Sequence, residues 1–339
     1  MTLASGKRKT MAILITGATG FLGDHLTRRL LAEGKQARVL ARSPERAKSL
    51  IAGGAELAVG DITDADSVST ALQGVTLVYH LAGKLLKPGV PAVEYRRIHV
   101  EGTRVLLAQC AKRSTIERIV HCSTTGVLGV TGAKPADEGA PFAPTNIYEQ
   151  TKLEAELLAR EAMQWELPIV IVRPGLVYGP GDLHLLGFFR AIYRRLFRPI
   201  GRADVWLHPI YIDDMTEAFV HCGANPGAVG ACFHIAGREP VTIATLAATI
   251  ANALGTPKPA GRIPHPAALA VATVGDWLPN RFKDGAPLTR SRLDFLTRSR
   301  VYDVSKAKAL LGFEAETGLR SGISQTVAWY RQNGYLPPV

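Results

Sequence analysis

Short apolar segments alternate with helical patterns along the chain from Ala12 to Arg173. The apolar segments are rich in β-branched residues and apolar on both faces, as expected of strands buried in a parallel sheet. Parallel strands need long crossovers, so the pattern predicts a doubly wound α/β fold with helices on both faces of the sheet. The predicted strands are 12–16, 37–40, 56–59, 77–81, 116–122 and 169–173, and the predicted helices between and after them are 21–32, 43–52, 64–72, 92–113 and 148–165.

The composition excludes a disordered chain and a small disulfide scaffold. Of the 339 residues, 47% are hydrophobic and 20% are charged, which provides enough apolar surface for a large core. A chain of this length forms about two folding units at roughly 150 residues each. No run approaches the roughly 18 to 20 consecutive apolar residues of a spanning helix, so we expect no membrane span.

Charge and cysteine usage indicate the setting of the protein. The 40 Lys and Arg residues against 29 Asp and Glu give a net charge of +11, which suits phosphate-bearing partners. The excess is clearly clustered only at 190–202, without interleaved exposed aromatic residues, so we expect no nucleic-acid partner. The basic segment 1–11 lacks the apolar core of a secretory signal and predicts a flexible tail on a cytoplasmic protein. Four cysteines without metal-ligand spacing predict reduced core thiols and no metal site: Cys110, Cys122, Cys222 and Cys232.

A glycine-rich loop follows the first predicted strand and opens the first predicted helix. Its spacing, Gly-x-x-Gly-x-x-Gly, suits a tight turn at Gly17, close approach of a pyrophosphate at Gly20 and close helix packing at Gly23. The free N–H groups and the dipole of the helix N-terminus attract the phosphate charge. The loop therefore predicts a dinucleotide site formed by Gly17, Thr19, Gly20, Phe21, Leu22 and Gly23.

The end of the second strand indicates which dinucleotide is bound. A site selective for NAD usually places an acidic residue there to bind the free ribose hydroxyls. This chain has Arg42 instead, followed by Ser43 and, further on, Arg46, which can bind a 2′-phosphate through charge-assisted hydrogen bonds. We therefore expect NADP(H) to be favoured over NAD(H), although Arg42 could simply be solvated. Asp61 and Ile62, after the third strand, are expected to flank the adenine.

The rhythm of strands and helices weakens after Pro174, where Pro and Gly become frequent and the predicted helices 187–197 and 242–254 are joined by longer loops. The change predicts a nucleotide-binding Rossmann domain over 12–174, with later segments returning to it. Residues 175–339 are expected to form mainly a smaller substrate-binding portion.

Tyr148 and Lys152 form a Tyr-x-x-x-Lys pair at the start of a predicted helix. Residues four apart lie on one helix face, so an ammonium group would stand beside a phenol and lower its pKa for acid/base chemistry. The segment His121–Gly129 places hydroxyl groups at the carboxyl edge of the fifth strand, where open α/β sheets bind ligands. These hydroxyls could bind a substrate oxygen while Tyr148 moves the proton.

With these features the chain resembles the extended short-chain dehydrogenase/reductase family, which includes NAD-dependent epimerases and dehydratases. Some features resemble its branch of 3-beta-hydroxysteroid dehydrogenases and dihydroflavonol reductases. The resemblance covers Ala12 to Tyr330 and rests also on four further segments: Val100-Glu101-Gly102-Thr103, Arg173 to Asp182, Ile210-Tyr211-Ile212-Asp213-Asp214 and Asp303 to Gly312.

The resemblance implies a role for each matching position. Thr124 takes the place of the catalytic Ser/Thr, Tyr148 that of the acid/base and Lys152 that of the residue holding the nicotinamide ribose. His80, Leu81, Ala82 and Gly83 would line the cofactor after the fourth strand, and Pro174 to Val177 would border the nicotinamide. It also implies a homodimer through helices 92–113 and 148–165.

One departure concerns the residue before Val100, where the family often carries an Asn that orders a water beneath the lysine. This chain has His99, which would still adjoin the cofactor, but a proton relay through it is in doubt.

Three functions stay open at this level. The first is hydride transfer between NADP(H) and a ketone or secondary alcohol, which the apolar segment 263–270 favours. The second is nucleotide-sugar epimerisation, in which Arg190 and Arg194 would grip a diphosphate unless they only form a solvated helix face. The third is a non-catalytic NADP-binding regulator, which the retained Thr124, Tyr148 and Lys152 disfavour. Thr125, Arg190 and Arg194 are the candidate residues for the small-molecule substrate.

Overall fold

The computed structural model describes residues 12–87, 89–201, 204–277 and 288–338, and the predicted tail, 1–11, lies outside them. The strands are β1 (Ala12–Thr16), β2 (Gln36–Ala41), β3 (Glu56–Val59), β4 (Val75–His80), β5 (Arg118–Cys122), β6 (Gly132–Ala136), β7 (Ile169–Pro174), β8 (Leu176–Tyr178), β9 (Trp206–Leu207), β10 (Pro209–Tyr211), β11 (Cys232–Ile235), β12 (Val241–Thr242) and β13 (Arg300–Tyr302).

The helices are α1 (Phe21–Ala32), α2 (Pro44–Ala52), α3 (Ala65–Ala71), α4 (Ala92–Arg96), α5 (Gly102–Ala111), α6 (Ile147–Gln164), α7 (Leu186–Tyr193), α8 (Ile212–Ala224), α9 (Ile243–Leu254), α10 (His265–Trp277), α11 (Arg290–Thr297), α12 (Ser305–Leu311) and α13 (Leu319–Gln332). A π-helical turn, Arg97–Glu101, joins α4 to α5.

Seven of the strands form one parallel sheet in the order β11–β7–β5–β4–β1–β2–β3. Leu14, Val78 and Ile119 pack on one face, in a core shared with α3, α5 and α6. Ile15, Val120 and residues of α1, α2 and α8 fill the other face. Each such side chain contributes about 1.5 to 3 kcal/mol by leaving water. The structure confirms the predicted doubly wound α/β fold.

The order of the strands places a crevice at the carboxyl edge of the sheet. The chain moves from β1 outward to β2 and β3, then returns to pair β4 with the other side of β1. Loops that follow β1 and β4 therefore leave the sheet in opposite directions and open a crevice between them, where doubly wound sheets bind ligands.

The later part of the chain contributes both to the sheet and to a second core. Strand β11 joins the sheet beside β7. Phe189 of α7, Ile250 of α9 and Tyr330 of α13 meet in a separate apolar cluster. The predicted helix 187–197 ends early, at Tyr193, because Arg195 takes a left-handed backbone conformation with φ of 59°. None of the described helices is long and apolar enough to cross a bilayer.

Candidate active site

The glycine loop lies against the loop that follows β4. Gly17 has φ of 74°, and a Cβ on it would lie 2.5 Å from the carbonyl carbon of Leu81. A Cβ on Gly23 would lie 2.2 Å from the Gly17 oxygen, which confirms the close helix packing. Helix α1 begins at Phe21 with Gly20 as its N-cap, so its first N–H groups point at the crevice mouth. The residues fit the diphosphate of a dinucleotide, which small glycines and free N–H groups accommodate.

The position predicted to bind the ribose 2′-phosphate carries an exposed cation. Arg42 directly follows β2, its side chain is 56% exposed, and its Nη1 lies 3.9 Å from Oδ2 of Asp61. Ser43 precedes α2 and makes no capping hydrogen bond with its side chain, so its hydroxyl stays available. Ile62 is buried and packs against Gly102, so of the pair predicted to flank adenine only Asp61 is partly exposed.

The structure brings Thr124, Tyr148 and Lys152 together at the carboxyl edge of β5. Thr124 caps a 3-10 turn, accepting from the Gly126 N–H at 3.1 Å, and its hydroxyl lies near enough to the Tyr148 phenol to lower the pKa of that phenol. The Lys152 ammonium is buried and donates to the Cys122 carbonyl at 2.5 Å. Two hydroxyls and an ammonium can together bind and protonate a substrate oxygen.

The predicted lowering of the Tyr148 pKa does not occur here. Burial raises the pKa of Tyr148, and the nearby Thr124 hydroxyl only partly opposes this rise. Lys152 is bonded to a backbone carbonyl, and burial lowers the pKa of its ammonium as well. Desolvation therefore holds the phenol in its neutral, proton-donating form.

We predict opposite pH dependences for the two directions of a hydride-transfer reaction at this site. Reduction of a ketone needs the protonated phenol, which persists below the raised pKa, so its kcat/KM stays flat from pH 6 to 9. Oxidation of an alcohol needs the phenolate, so its kcat/KM rises about tenfold per pH unit over the same range. Initial rates in both directions test this, and an oxidation rate that levels off near pH 7 contradicts it.

His99 is held in place by bonds to the protein on both ring nitrogens. Its Nε2 accepts from the Lys84 N–H at 2.9 Å, so Nδ1 carries the proton and donates to Thr151 Oγ1 at 2.8 Å. Thr151 in turn donates to the Ile147 carbonyl. Burial and the Lys152 charge lower the pKa of His99 to about 3. His99 therefore ties the loop after β4 to α6 and has no free nitrogen for a relay.

The loop after β4 is held by hydroxyl and imidazole groups beneath it. The Leu81 N–H donates to the Thr16 carbonyl at 3.1 Å, and the Ala82 N–H donates to Thr16 Oγ1 at 3.3 Å. Thr16 Oγ1 is also bonded to Nδ1 of His80 at 2.8 Å. Gly83 lies against His99, since a Cβ there would be 3.5 Å from Nε2. The predicted cofactor-lining loop is thus packed beside the glycine loop.

The candidate substrate residues lie apart from the two reactive hydroxyls. Thr125 is buried and donates to the Pro174 carbonyl at 2.9 Å, so it holds the end of β7 rather than facing a substrate. Arg190 donates to the Tyr335 carbonyl at 3.3 Å, and Arg194 ends α7 in solvent. Val177, which was predicted to border the nicotinamide, lies in β8. This strand follows Pro174 in the chain and pairs with β10.

Glu156 is a buried charged residue near the site that the sequence patterns did not single out. Glu156 lies one turn beyond Lys152 on α6 and accepts from Ser123, the neighbour of Thr124. The spacing in the sequence could have indicated it, because a glutamate four residues after Lys152 lies on the same helix face.

This site belongs to an enzyme of the short-chain dehydrogenase/reductase class that uses a nicotinamide dinucleotide. The class is defined by the glycine loop, the crevice and the Tyr-Lys pair. A model of the NAD dependent epimerase/dehydratase family matches residues 13–236, and the chain belongs to that family. A 2-alkyl-3-oxoalkanoate reductase from Shewanella oneidensis is 31% identical, over 94% of this chain and 86% of its own. A 3 beta-hydroxysteroid dehydrogenase/Delta 5-->4-isomerase from Mycobacterium tuberculosis is 29% identical, over 94% and 90%. The crystal structure of gox2253 superimposes with a TM-score of 0.80 at 28% identity, over 96% of this chain and 99% of the other.

Proposed function

We propose that the protein transfers a hydride between NADP(H) and an apolar ketone or secondary alcohol. The observation that carries the proposal is that the Thr124 and Tyr148 hydroxyls and the buried Lys152 ammonium come together at the carboxyl edge of β5. A nicotinamide bound at the glycine loop would supply or accept the hydride. Thr124 binds the substrate oxygen, Tyr148 donates or takes its proton, and Lys152 holds the ribose and supports the phenolate.

Exposed leucines in two loops support an apolar substrate. Leu85, in the loop after β4, is 49% exposed, and Leu183, in the loop before α7, is 53% exposed. His184 is next to Leu183, and Lys87 lies in the same loop as Leu85. Burial and the charges of Arg292 and Lys87 lower the pKa of His184, so the two loops are near each other. The two relatives described above are named for oxidoreduction of an oxoalkanoate and of a steroid, both largely apolar molecules.

The experiment distinguishes a reductase, which consumes NADPH, from an epimerase, which reduces and reoxidises its cofactor within one turnover. Purified protein is examined for the nicotinamide absorbance band and then screened with 3-oxo acids, steroids and nucleotide-sugars, with NADPH consumption as the readout. We expect stoichiometric consumption with an apolar ketone, because a reductase must exchange its cofactor every turnover. Retained cofactor that is not consumed, together with conversion of a nucleotide-sugar to its epimer, would replace this proposal with an epimerase.

NADPH should bind more tightly than NADH. Replacing Arg42 with alanine should weaken NADPH binding by about 1.5 to 3 kcal/mol and leave NADH binding unchanged, because one charge-assisted bond to the 2′-phosphate is lost. Fluorescence titration of both cofactors at fixed salt measures this. Arg104, exposed on α5 and paired with Glu101, provides the matched control for loss of a surface charge. Equal affinities for the two cofactors would refute the preference.

We also propose a homodimer through α4 and α6. Val93 of α4 is 66% exposed and Leu157 of α6 is 47% exposed, whereas Leu106 and Leu107 are buried within the subunit's own core. Mass measurement by light scattering, repeated after replacing Leu157 with glutamate, tests this face.

A further inference from the structure

A buried ionic cluster lies directly behind the two reactive hydroxyls. Ser123 is buried and donates from Oγ to Oε2 of Glu156 at 2.6 Å. Arg173 donates to the same carboxylate twice, from Nε to Oε2 at 3.0 Å and from Nη2 to Oε1 at 2.7 Å. The side chains of Glu156 and Arg173 are both fully buried, and Arg160 adds a bond to Oε1 at 2.9 Å.

The cluster joins two bodies that carry different parts of the site. Ser123 and Arg173 stand at the ends of β5 and β7, which are neighbours in the sheet, and the Ser123 N–H donates to the Val172 carbonyl at 2.7 Å. Glu156 stands on α6, the helix that carries Tyr148 and Lys152. Because Thr124 belongs to the sheet edge and Tyr148 to the helix, the separation of their hydroxyls depends on how α6 is seated on the sheet.

Stability alone does not account for such a cluster. A buried ion pair is often no more stabilising than well-packed apolar residues of similar volume, because both charges lose their hydration. However, a carboxylate that accepts several hydrogen bonds fixes the positions of its donors relative to one another. Although burial opposes it, the bonds from Arg173 and Ser123 lower the pKa of Glu156, so the carboxylate stays charged.

We propose that Glu156 is a positioning residue that acts through Ser123 to hold the Thr124 hydroxyl at the correct distance from the Tyr148 hydroxyl. The inference rests on the proposed function, since it assumes that Tyr148 transfers the proton. It assigns Glu156 no contact with the substrate or the cofactor.

Replacing Ser123 with alanine tests the proposal while leaving the Glu156–Arg173 pair intact. We expect kcat to fall about tenfold, because small misplacements of reacting groups slow catalysis strongly. Cofactor affinity and KM should change little. The rise of the oxidation rate with pH should shift to higher pH, because a displaced Thr124 hydroxyl would lower the Tyr148 pKa less. The matched control is Thr326→Val, which removes another fully buried hydroxyl, bonded to the Gly322 carbonyl in α13.

A double-mutant cycle adds Glu156→Gln to Ser123→Ala. If Glu156 acts through Ser123, the double variant loses little more in kcat than the stronger single variant. Additive losses in kcat, or wild-type kcat and pH profile in Ser123→Ala, overturn the inference. A fall in kcat that follows the fall in melting temperature, as in Thr326→Val, also overturns it. Turnover retained in Tyr148→Phe would instead overturn the proposed function, so the two failures are distinguishable.

Discussion

Tyr148→Phe should abolish turnover and leave cofactor binding nearly unchanged. The phenol is proposed only to move a proton, and loss of a general acid or base typically slows a reaction by about 10² to 10⁴-fold. The ring remains, so its edge-to-face contact with His99, at 5.6 Å between centroids, is kept. Steady-state rates with NADPH and a responsive ketone, together with NADPH titration, measure both quantities.

Two further variants are needed to interpret the result for Tyr148→Phe. Lys152→Ala should weaken both turnover and cofactor binding, because its ammonium is proposed to hold the ribose. Tyr193→Phe, at the end of α7, is the control for loss of a tyrosine hydroxyl outside the site. Substantial turnover in Tyr148→Phe would show that the proton is transferred by another group.

Gly17→Ala should cost about 3 kcal/mol of unfolding free energy and abolish measurable NADPH binding. The new methyl group would enter backbone atoms of Leu81 and Ala82, which lie 2.5 and 2.6 Å from the Cβ position. Backbone atoms cannot move aside as a flexible side chain can, so the loop after β4 would be displaced from the glycine loop. Chemical denaturation and cofactor titration give the two values.

Gly34→Ala provides a control for backbone conformation alone. Gly34 has φ of 71°, close to the 74° of Gly17, but nothing lies within 4 Å of its Cβ position. Its substitution should cost only about 1 kcal/mol and leave cofactor binding intact. Equal effects of the two substitutions would show that position 17 requires glycine because of its left-handed backbone and not because of the contact with Leu81.

Much of the fold was predictable because it depends on residues close together in the chain. Strands apolar on both faces, separated by helical patterns, predicted the parallel sheet, and the boundaries differ by a few residues where local capping decides. The single helix expected over 92–113 contains the π-helical turn Arg97–Glu101 and ends at Ala111. That turn accompanies the side-chain bond from Thr103 to the His99 carbonyl, which periodicity does not reveal.

Tertiary structure decided the state and partners of the site residues. Their spacing placed Tyr148 and Lys152 on one helix face, but the burial that raises the Tyr148 pKa comes from the surrounding fold. Thr125 donates to the Pro174 carbonyl, 49 residues away in the chain. Glu156 accepts from Ser123, which follows β5, and from Arg173 in β7.

The sequence by itself determined the fold class, the dinucleotide loop and the Tyr-Lys pair, because periodicity and spacing act over a few residues. Which hydroxyl faces the crevice, which histidine is fully bonded and which carboxylate remains charged were decided only in the folded protein. Desolvation and hydrogen-bond partners depend on chain segments that meet in space, and their distances are not written in any local pattern.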